Sequence, residues 1–195
     1  MAAEILSDQD LLRRMAAGDE EAFVTLYRRW SGCVYRFARQ MSGSTSIAED
    51  VTQDVFLALI REAERFDADR GSFPAYLYGM TRNLVRRAIE RASSFVTMQD
   101  GDGALDQVEA GDLFAEMERA ETVARVRRAI LALPVHYREV VILCDLHGMS
   151  YAEAAAALGC AVGTIRSRLN RARALLSERL GSSTSAPVET KRCYA

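Results

Sequence analysis

Several features that would assign a function class are scarce or missing in this sequence. Its 195 residues include only 3 prolines, 4 cysteines, 2 histidines and 1 tryptophan. The longest uninterrupted apolar runs are a few residues, too short to cross a bilayer, so no membrane insertion is expected. The first residues lack a basic stretch followed by an apolar one, so we predict no secretory signal and a cytoplasmic location.

The cysteines and histidines are too scattered to form a recognisable metal site. They are Cys33, Cys144, Cys160, Cys193, His136 and His147. None of them has a partner at a metal-ligand spacing, so we expect no metal and no cofactor, and reduced thiols. The sequence also contains no phosphate-binding loop and no nucleophile elbow, which argues against an enzyme.

Lysine is nearly absent, because 24 of the 25 basic residues are arginine. The overall charge of −2 hides a net charge of −7 in residues 93–122 and of +6 in residues 123–195. A basic C-terminal third suits a polyanionic partner, and arginine can grip phosphate or guanine through two hydrogen bonds. The alternative interpretation is that the arginine content reflects the codon usage of the source genome.

Capping residues and apolar residues three or four positions apart predict an all-α fold, with no alternating strand pattern. Helix starts are predicted at Ser7, at Asp19, at a capping box formed by Ser46 and Glu49, and at Ser72, the last helix running over residues 73–91. Residues 93–111 are polar, acidic and glycine-containing, which predicts a flexible linker. We therefore expect two small helical domains, residues 1–92 and 112–180, and a disordered tail, residues 181–195.

The most specific motif spans residues 150–173. Ser150 and Glu153 form a capping box before an alanine-rich helix, and Gly159 supplies a turn. The second helix has an inward face of Ile165, Leu169 and Ala172 and an outward face of Arg166, Ser167, Asn170, Arg171 and Arg173. We expect no acidic residue to pair these arginines. Such side chains bond base edges and phosphates, so the motif predicts a DNA-reading helix-turn-helix. A plain helical hairpin with a solvated arginine face is the alternative.

Two clusters in the N-terminal half each allow two interpretations. Residues 73–91 combine aromatic side chains with arginines, which can stack unpaired bases along a single strand. The same stripe can instead be core plus a solvated face. The acidic cluster around Asp50 and Asp54 lies near a predicted helix start, where acids favour the helix dipole, or it forms a docking surface for a basic partner.

Four segments, in this order along the chain, resemble the sigma-70 family of RNA polymerase sigma factors. Residues 48–56 resemble the region that docks on the polymerase clamp, residues 73–83 the reader of the minus-ten element, residues 131–141 the start of region four, and residues 162–173 the reader of the minus-thirty-five element. The resemblance covers residues 8–180 in the compact form of the extracytoplasmic-function (ECF) group. The family usually has Trp where Tyr76 stands, a basic residue where Gly79 stands and Pro where Ala161 stands.

The resemblance implies a region 2-like helical bundle and a region 4-like helix-turn-helix domain. Such a protein binds the clamp helices and flap of bacterial core RNA polymerase and directs promoter-specific initiation, in response to a stress or signal, without catalysing a reaction. The acidic linker would occupy the RNA-exit path, and an anti-sigma factor would restrain the protein.

The resemblance also implies three sets of site residues. The residues that would dock on polymerase are Glu49, Asp50, Gln53, Asp54 and Phe56. The residues that would bind the minus-ten strand are Phe66, Tyr76, Arg82, Asn83, Arg86 and Arg87. The residues that would bind the upstream element are Thr164, Arg166, Ser167, Asn170, Arg171 and Arg173. A conventional helix-turn-helix transcriptional regulator, which binds duplex DNA without polymerase, is the main alternative, and an adaptor with degenerate DNA reading is another.

Overall fold

The N-terminal part of the chain begins with three capped helices. The computed structural model describes residues 6–63, 66–67, 71–96 and 113–181. Helix α1 (Asp8–Ala16) follows Ser7, α2 (Glu20–Ser42) follows Asp19, and α3 (Thr45–Glu62) follows Ser44. Each cap side chain accepts a hydrogen bond from a backbone N–H of the first turn, which satisfies a donor that has no partner within the helix.

The helix starts predicted at Ser7 and Asp19 are confirmed, but the capping box at Ser46 is wrong. Ser44 is the cap: its Oγ accepts from the Ile47 N–H at 3.3 Å, and the Ser46 Oγ lies 3.0 Å from it inside the first turn. The reason is Gly43, which ends α2 in the left-handed region with φ of 75°. Because the chain turns at Gly43, α3 begins directly after it, and Ser44 rather than Ser46 becomes the cap.

Helix α4 (Phe73–Val96) is the longest in the described part of the chain, with 24 residues. The Ser72 Oγ accepts from the Ala75 N–H at 3.4 Å, which confirms the predicted start. The helix continues past residue 91 and through the first four residues of the expected linker, because residues 92–96 contain neither glycine nor proline. The remainder of that linker and residues 182–195 of the expected tail lie outside the described residues.

Residues 113–181, the described C-terminal part, contain four further helices and a π-helical turn. These are α5 (Leu113–Leu131), α6 (Val135–Val141), the π-helical turn (Ile142–Leu146), α7 (Tyr151–Leu158) and α8 (Val162–Gly181). Ser150 and Glu153 form the predicted capping box at the start of α7. Over the described ranges the regular structure is helical and no strand occurs, which confirms the all-α prediction.

The buried side chains of the two parts form one continuous cluster. Its largest fully buried members include Leu26, Phe37, Leu59 and Leu77 on the N-terminal side and Ile142, Leu143, Ile165 and Leu169 on the C-terminal side. Helices α2, α3 and α4 pack together, as do α6, α7 and α8, and the two groups meet where α4 packs on α7. Burying one large apolar side chain stabilises the fold by about 1.5–3 kcal/mol. Because the buried cluster continues from one part into the other, the contact between α4 and α7 adjoins the core of both parts.

Candidate nucleic-acid and protein interfaces

Helices α7 and α8 form a helix-turn-helix whose turn is residues 159–161. Gly159 ends α7 with φ of 63°, a conformation that strains other residues. Ile165, Leu169 and Ala172 are buried, as predicted, and hold α8 against the rest of the C-terminal part. The opposite face of α8 is therefore fixed toward solvent.

The solvent face of α8 presents Arg166, Ser167, Asn170 and Arg171, all of them exposed. Arg166 lies over the Tyr151 ring, with its guanidinium carbon 6.0 Å from the ring centroid, a cation–π arrangement. The Ser167 hydroxyl donates to the carbonyl of half-buried Thr164 at 3.0 Å. Apart from Arg173, the predicted upstream-element residues thus occupy the N-terminal half of α8, the part that meets base edges when such a helix enters the major groove.

Arg173 has a partner that the sequence pattern did not reveal. Its Nη2 and Nε donate to the two carboxylate oxygens of Asp145 in the π-helical turn, at 2.5 and 3.1 Å. The expectation that no acidic residue pairs these arginines is therefore wrong for Arg173, because the fold brings in an acid from outside the motif. This hydrogen bonding raises the pKa of Arg173, so the pair stays ionised.

A cleft of about 440 Å³ opens beside the start of α4. Phe66 and Tyr76 stand on its wall with their ring centroids 5.4 Å apart, and Met80 and Asn83 continue that wall along α4. The volume falls in the range of small-ligand pockets, and aromatic walls beside an amide suit a planar, polar ring such as an unstacked base. The structure thus brings Phe66, Tyr76 and Asn83 together.

The arginines of α4 diverge in their surroundings. Arg87 is exposed, whereas Arg82 donates from Nε to Glu139 of α6 at 2.7 Å. Glu139 is only 1% exposed, and the Arg86 Nη1 lies 3.9 Å from the same carboxylate oxygen. In this structure, Arg82 is therefore paired with a buried acid from the C-terminal part, whereas Arg86 lies near the same acid and keeps 44% of its side chain exposed.

The predicted docking cluster lies on α3. Glu49, Asp50, Gln53 and Asp54 are exposed. Phe56 is different: it is buried, with its ring centroid 4.7 Å from that of Tyr27. The structure therefore corrects the assignment of Phe56 as a contact residue, because its helical position turns it toward α2, where it supports the surface from below.

Two exposed apolar residues of α3 were not predicted as part of the docking surface. Leu57 is 54% exposed and Ile60 is 49% exposed, one and two turns beyond Gln53. On the neighbouring helix, Val24 and Tyr27 are also exposed. Since a lone exposed leucine is ordinary but four exposed apolar side chains on two helices that pack together are not, we define these four residues as the apolar part of the α3 face. The signal that could have found Leu57 and Ile60 is that they are apolar but lie outside the buried stripe of α3, which contains Val51, Val55 and Leu59.

No group of three or more potential metal ligands occurs among the residues that the structure covers. Cys33, Cys144 and Cys160 are free thiols, and burial raises the pKa of Cys144, which disfavours its reactive thiolate form. No helix in the described ranges is both long enough and apolar enough to cross a membrane.

Comparison with known proteins gives matches to both parts of the chain. The family model for sigma-70 region 2 matches residues 26–95, and a sigma-70 region 4 model matches residues 124–176. The ECF RNA polymerase sigma factor SigM of Mycobacterium tuberculosis is 35% identical over 175 residues, which is 90% of this chain and 85% of that protein.

Two solved structures share the architecture. CnrH, in complex with the cytosolic domain of CnrY, superimposes with a TM-score of 0.70 at 30% identity, over 91% of this chain and 99% of CnrH. The sigma factor RpoE of Bartonella quintana, in complex with the anti-sigma factor NepR, superimposes with a TM-score of 0.66 at 28% identity, over 83% of this chain and 98% of RpoE.

Proposed function

This chain belongs to the ECF group of sigma-70 family RNA polymerase sigma factors, and we propose that it directs core polymerase to a two-element promoter through three surfaces: the α3 face, the cleft beside α4 and the outer face of α8. Sigma factors regulate transcription, and we assign no catalytic role to the chain. We propose that it acts in the cytoplasm, where its polymerase and promoter are.

One observation carries this proposal: a cleft suited to an unstacked base and a helix-turn-helix suited to duplex DNA stand on the same chain. Phe66, Tyr76 and Asn83 supply the cleft, and Arg166 and Arg171 belong to the duplex-reading face. A conventional regulator of duplex DNA needs only the second feature. An initiation factor needs both, because it must recognise one element as duplex and capture another as an opened strand.

The α3 face is proposed to dock on the polymerase clamp. Exposed Asp50 and Asp54 would meet a basic surface, while Leu57 and Ile60 would be buried against apolar side chains. Burying the apolar residues supplies affinity, and the carboxylates steer association and fix the register. Phe56 contributes by packing against Tyr27 beneath this surface.

The non-template strand is proposed to enter the cleft beside α4. A base removed from its stack costs a few kcal/mol, and stacking on an aromatic side chain recovers about 1–3 kcal/mol. Tyr76 and Phe66 offer the ring surfaces, Asn83 offers an amide for the base edge, and Arg86 and Arg87 would follow the phosphates. The upstream element would be read by Thr164, Arg166, Ser167, Asn170 and Arg171 in the major groove.

We further propose a restraining protein partner of the anti-sigma type. Support comes from the structural neighbours, since RpoE of Bartonella quintana was crystallised with the anti-sigma factor NepR and CnrH with the cytosolic domain of CnrY. A pull-down from native cells tests this proposal. Recovery of polymerase without any second protein would count against a restraining partner.

The direct test of the main proposal is multi-round transcription by purified bacterial core polymerase on a promoter library, with and without this protein. We expect transcripts that depend on the protein and that share two sequence elements at a fixed spacing. Tight duplex binding by the protein alone, without any dependent transcript, would instead identify a conventional regulator.

A further inference from the structure

An aromatic side chain from α7 lies against the outer face of α8. The guanidinium carbon of Arg166 stands 6.0 Å from the centroid of the Tyr151 ring, and Tyr151 is the first residue of α7. Among the described residues, no carboxylate or carbonyl accepts a hydrogen bond from Arg166. This arginine is therefore held by a ring and not by an acid.

The first turn of α7 fixes the position of the Tyr151 backbone. The Ser150 N–H donates to the Glu153 carboxylate at 2.9 Å, and the Glu153 N–H donates to the Ser150 hydroxyl at 3.2 Å, so Tyr151 lies inside a closed capping box. In the next turn Ala154 is fully buried, and α7 packs directly on α8. Because a tyrosine side chain has two main torsions, each with few preferred values, a fixed backbone confines its ring to few positions.

The three arginines of the outer face of α8 differ in their partners. Arg173 donates two hydrogen bonds to Asp145, which neutralises its charge. Arg171 is exposed, and within the described part of the chain it has no ion pair and no ring contact. Arg166 is intermediate: a ring face attracts the cation but offers no lone pair to its hydrogens, so the charge and the N–H donors stay available while the orientation is restricted. A contact to guanine through two hydrogen bonds needs a guanidinium in this state.

We propose that Tyr151 is a positioning residue that sets base preference through Arg166: its ring orients the guanidinium, before DNA binds, toward the edge of a guanine in the upstream element. Tyr151 acts through Arg166 and reads no base itself. This inference rests on the proposed function for the identity of the ligand. The contact between the ring and the guanidinium is a property of the free chain.

Removal of the ring should weaken the guanine contact for two reasons. A free arginine side chain loses rotamer freedom when it binds, and a ring that orders it beforehand removes part of that loss. The attraction between a cation and a ring also strengthens when water is excluded, as it is when a helix enters the major groove. From the size of such contacts, we expect loss of the ring to weaken binding to the preferred element about three- to tenfold.

The first experiment detects the contact in the free, full-length protein by nuclear magnetic resonance. An aromatic ring shields the protons that lie over its face, so the side-chain protons of Arg166 should resonate upfield of those of exposed Arg171. Tyr151→Phe keeps the ring and should keep this difference, whereas Tyr151→Leu should abolish it. Tyr151 is itself exposed, so neither substitution requires repacking, and circular dichroism checks the helices. Equal Arg166 spectra in the unmodified protein and in Tyr151→Leu would overturn the contact.

The second experiment measures binding of the assembled holoenzyme to single-base variants of the upstream element. The position that Arg166 reads is the one at which Arg166→Ala relaxes base preference most. At this position we expect Tyr151→Leu to lower the preference for guanine about three- to tenfold, and Tyr151→Phe to stay within about twofold of the unmodified protein. A loss in Tyr151→Phe as large as in Tyr151→Leu would show that the hydroxyl acts and not the ring. Equal weakening of every sequence by Tyr151→Leu would show a structural role, and either result overturns the proposal.

A double-mutant cycle then tests whether Tyr151 acts through Arg166. We expect Tyr151→Leu to have almost no further effect in the Arg166→Ala background and its full effect in the Arg171→Ala background, which is the matched control. Additive effects of Tyr151→Leu and Arg166→Ala would contradict the positioning role. If the unmodified holoenzyme binds every sequence equally, the proposed function fails and the role of Tyr151 fails with it, while the resonance comparison still decides whether the ring holds Arg166 in the free protein.

Discussion

Arg173 donates two hydrogen bonds to Asp145, a residue 28 positions earlier in the chain. The pair connects α8 to the π-helical turn, and it neutralises one of the arginines of the proposed reading helix. Both side chains keep contact with water, with 56% of Arg173 and 28% of Asp145 exposed. If α8 reads DNA as proposed, we therefore expect Asp145 to affect its contact with a phosphate backbone more than it affects folding.

We expect Asp145→Asn to free Arg173 for a phosphate contact. One additional phosphate contact steepens the dependence of log affinity on log salt by about 0.9 for duplex DNA, with tighter binding at low salt. The free energy of unfolding should fall by less than about 1 kcal/mol, since exposed ion pairs contribute little. Filter binding of the upstream element by the assembled holoenzyme at several salt concentrations measures the slope. A weaker complex with an unchanged slope would mean that Asp145 only orients the helix.

Arg171→Ala should weaken upstream-element binding and relax base preference by about 1–3 kcal/mol, because a base-edge contact is lost. The matched control is Arg179→Ala, which removes an exposed arginine eight residues later on α8, about 12 Å along the axis. Binding to a set of single-base variants of the element separates the two. If Arg171→Ala lowers affinity equally for every sequence, the residue contacts phosphate and not a base.

Local patterns predicted much of this molecule because the controlling interactions are themselves local. The cap at Ser150, the turn at Gly159 and the buried stripe that includes Ile165 depend on residues within one or two turns of each other. The start of α3 was misplaced because several hydroxyl residues compete for the cap and the preceding left-handed Gly43 decides between them.

Contacts between residues far apart in the sequence could not be predicted. Glu139 follows Arg82 by 57 positions, and no periodicity within either helix signals that one will bury its charge against the other. For the same reason Arg82 was predicted to be open to a DNA strand. The exposure of Leu57 was missed because only the apolar residues that form the buried stripe of an amphipathic helix were interpreted, and an apolar residue outside that stripe was given no role.

Asp54→Arg should abolish binding to core polymerase and leave the fold intact. Asp54 is exposed on α3, so the substitution requires no repacking, and it places a cation where the proposed basic surface of the clamp would bind. Fluorescence titration with core enzyme measures the loss, and circular dichroism checks the helices. Glu121→Arg makes the same charge reversal on α5 and should bind normally. Wild-type affinity of Asp54→Arg would refute the docking role of the α3 face.

His147 should make stability depend on pH above the range in which carboxylates titrate. Burial, together with Arg36 on α2, lowers the pKa of His147 from 6.5 to about 4, and the ring also faces Tyr78 of α4. Between these two values the unfolded chain binds a proton that the folded chain does not, so the free energy of unfolding should fall as the pH drops from about 7.5 to 5.5. Urea unfolding across this interval measures the slope. The slope should flatten in His147→Phe and persist in His136→Gln, which changes an exposed histidine of α6. Equal slopes in the unmodified protein and His147→Phe would show that His147 stays hydrated and that its bonds to Tyr78 and Gln40 do not hold in solution.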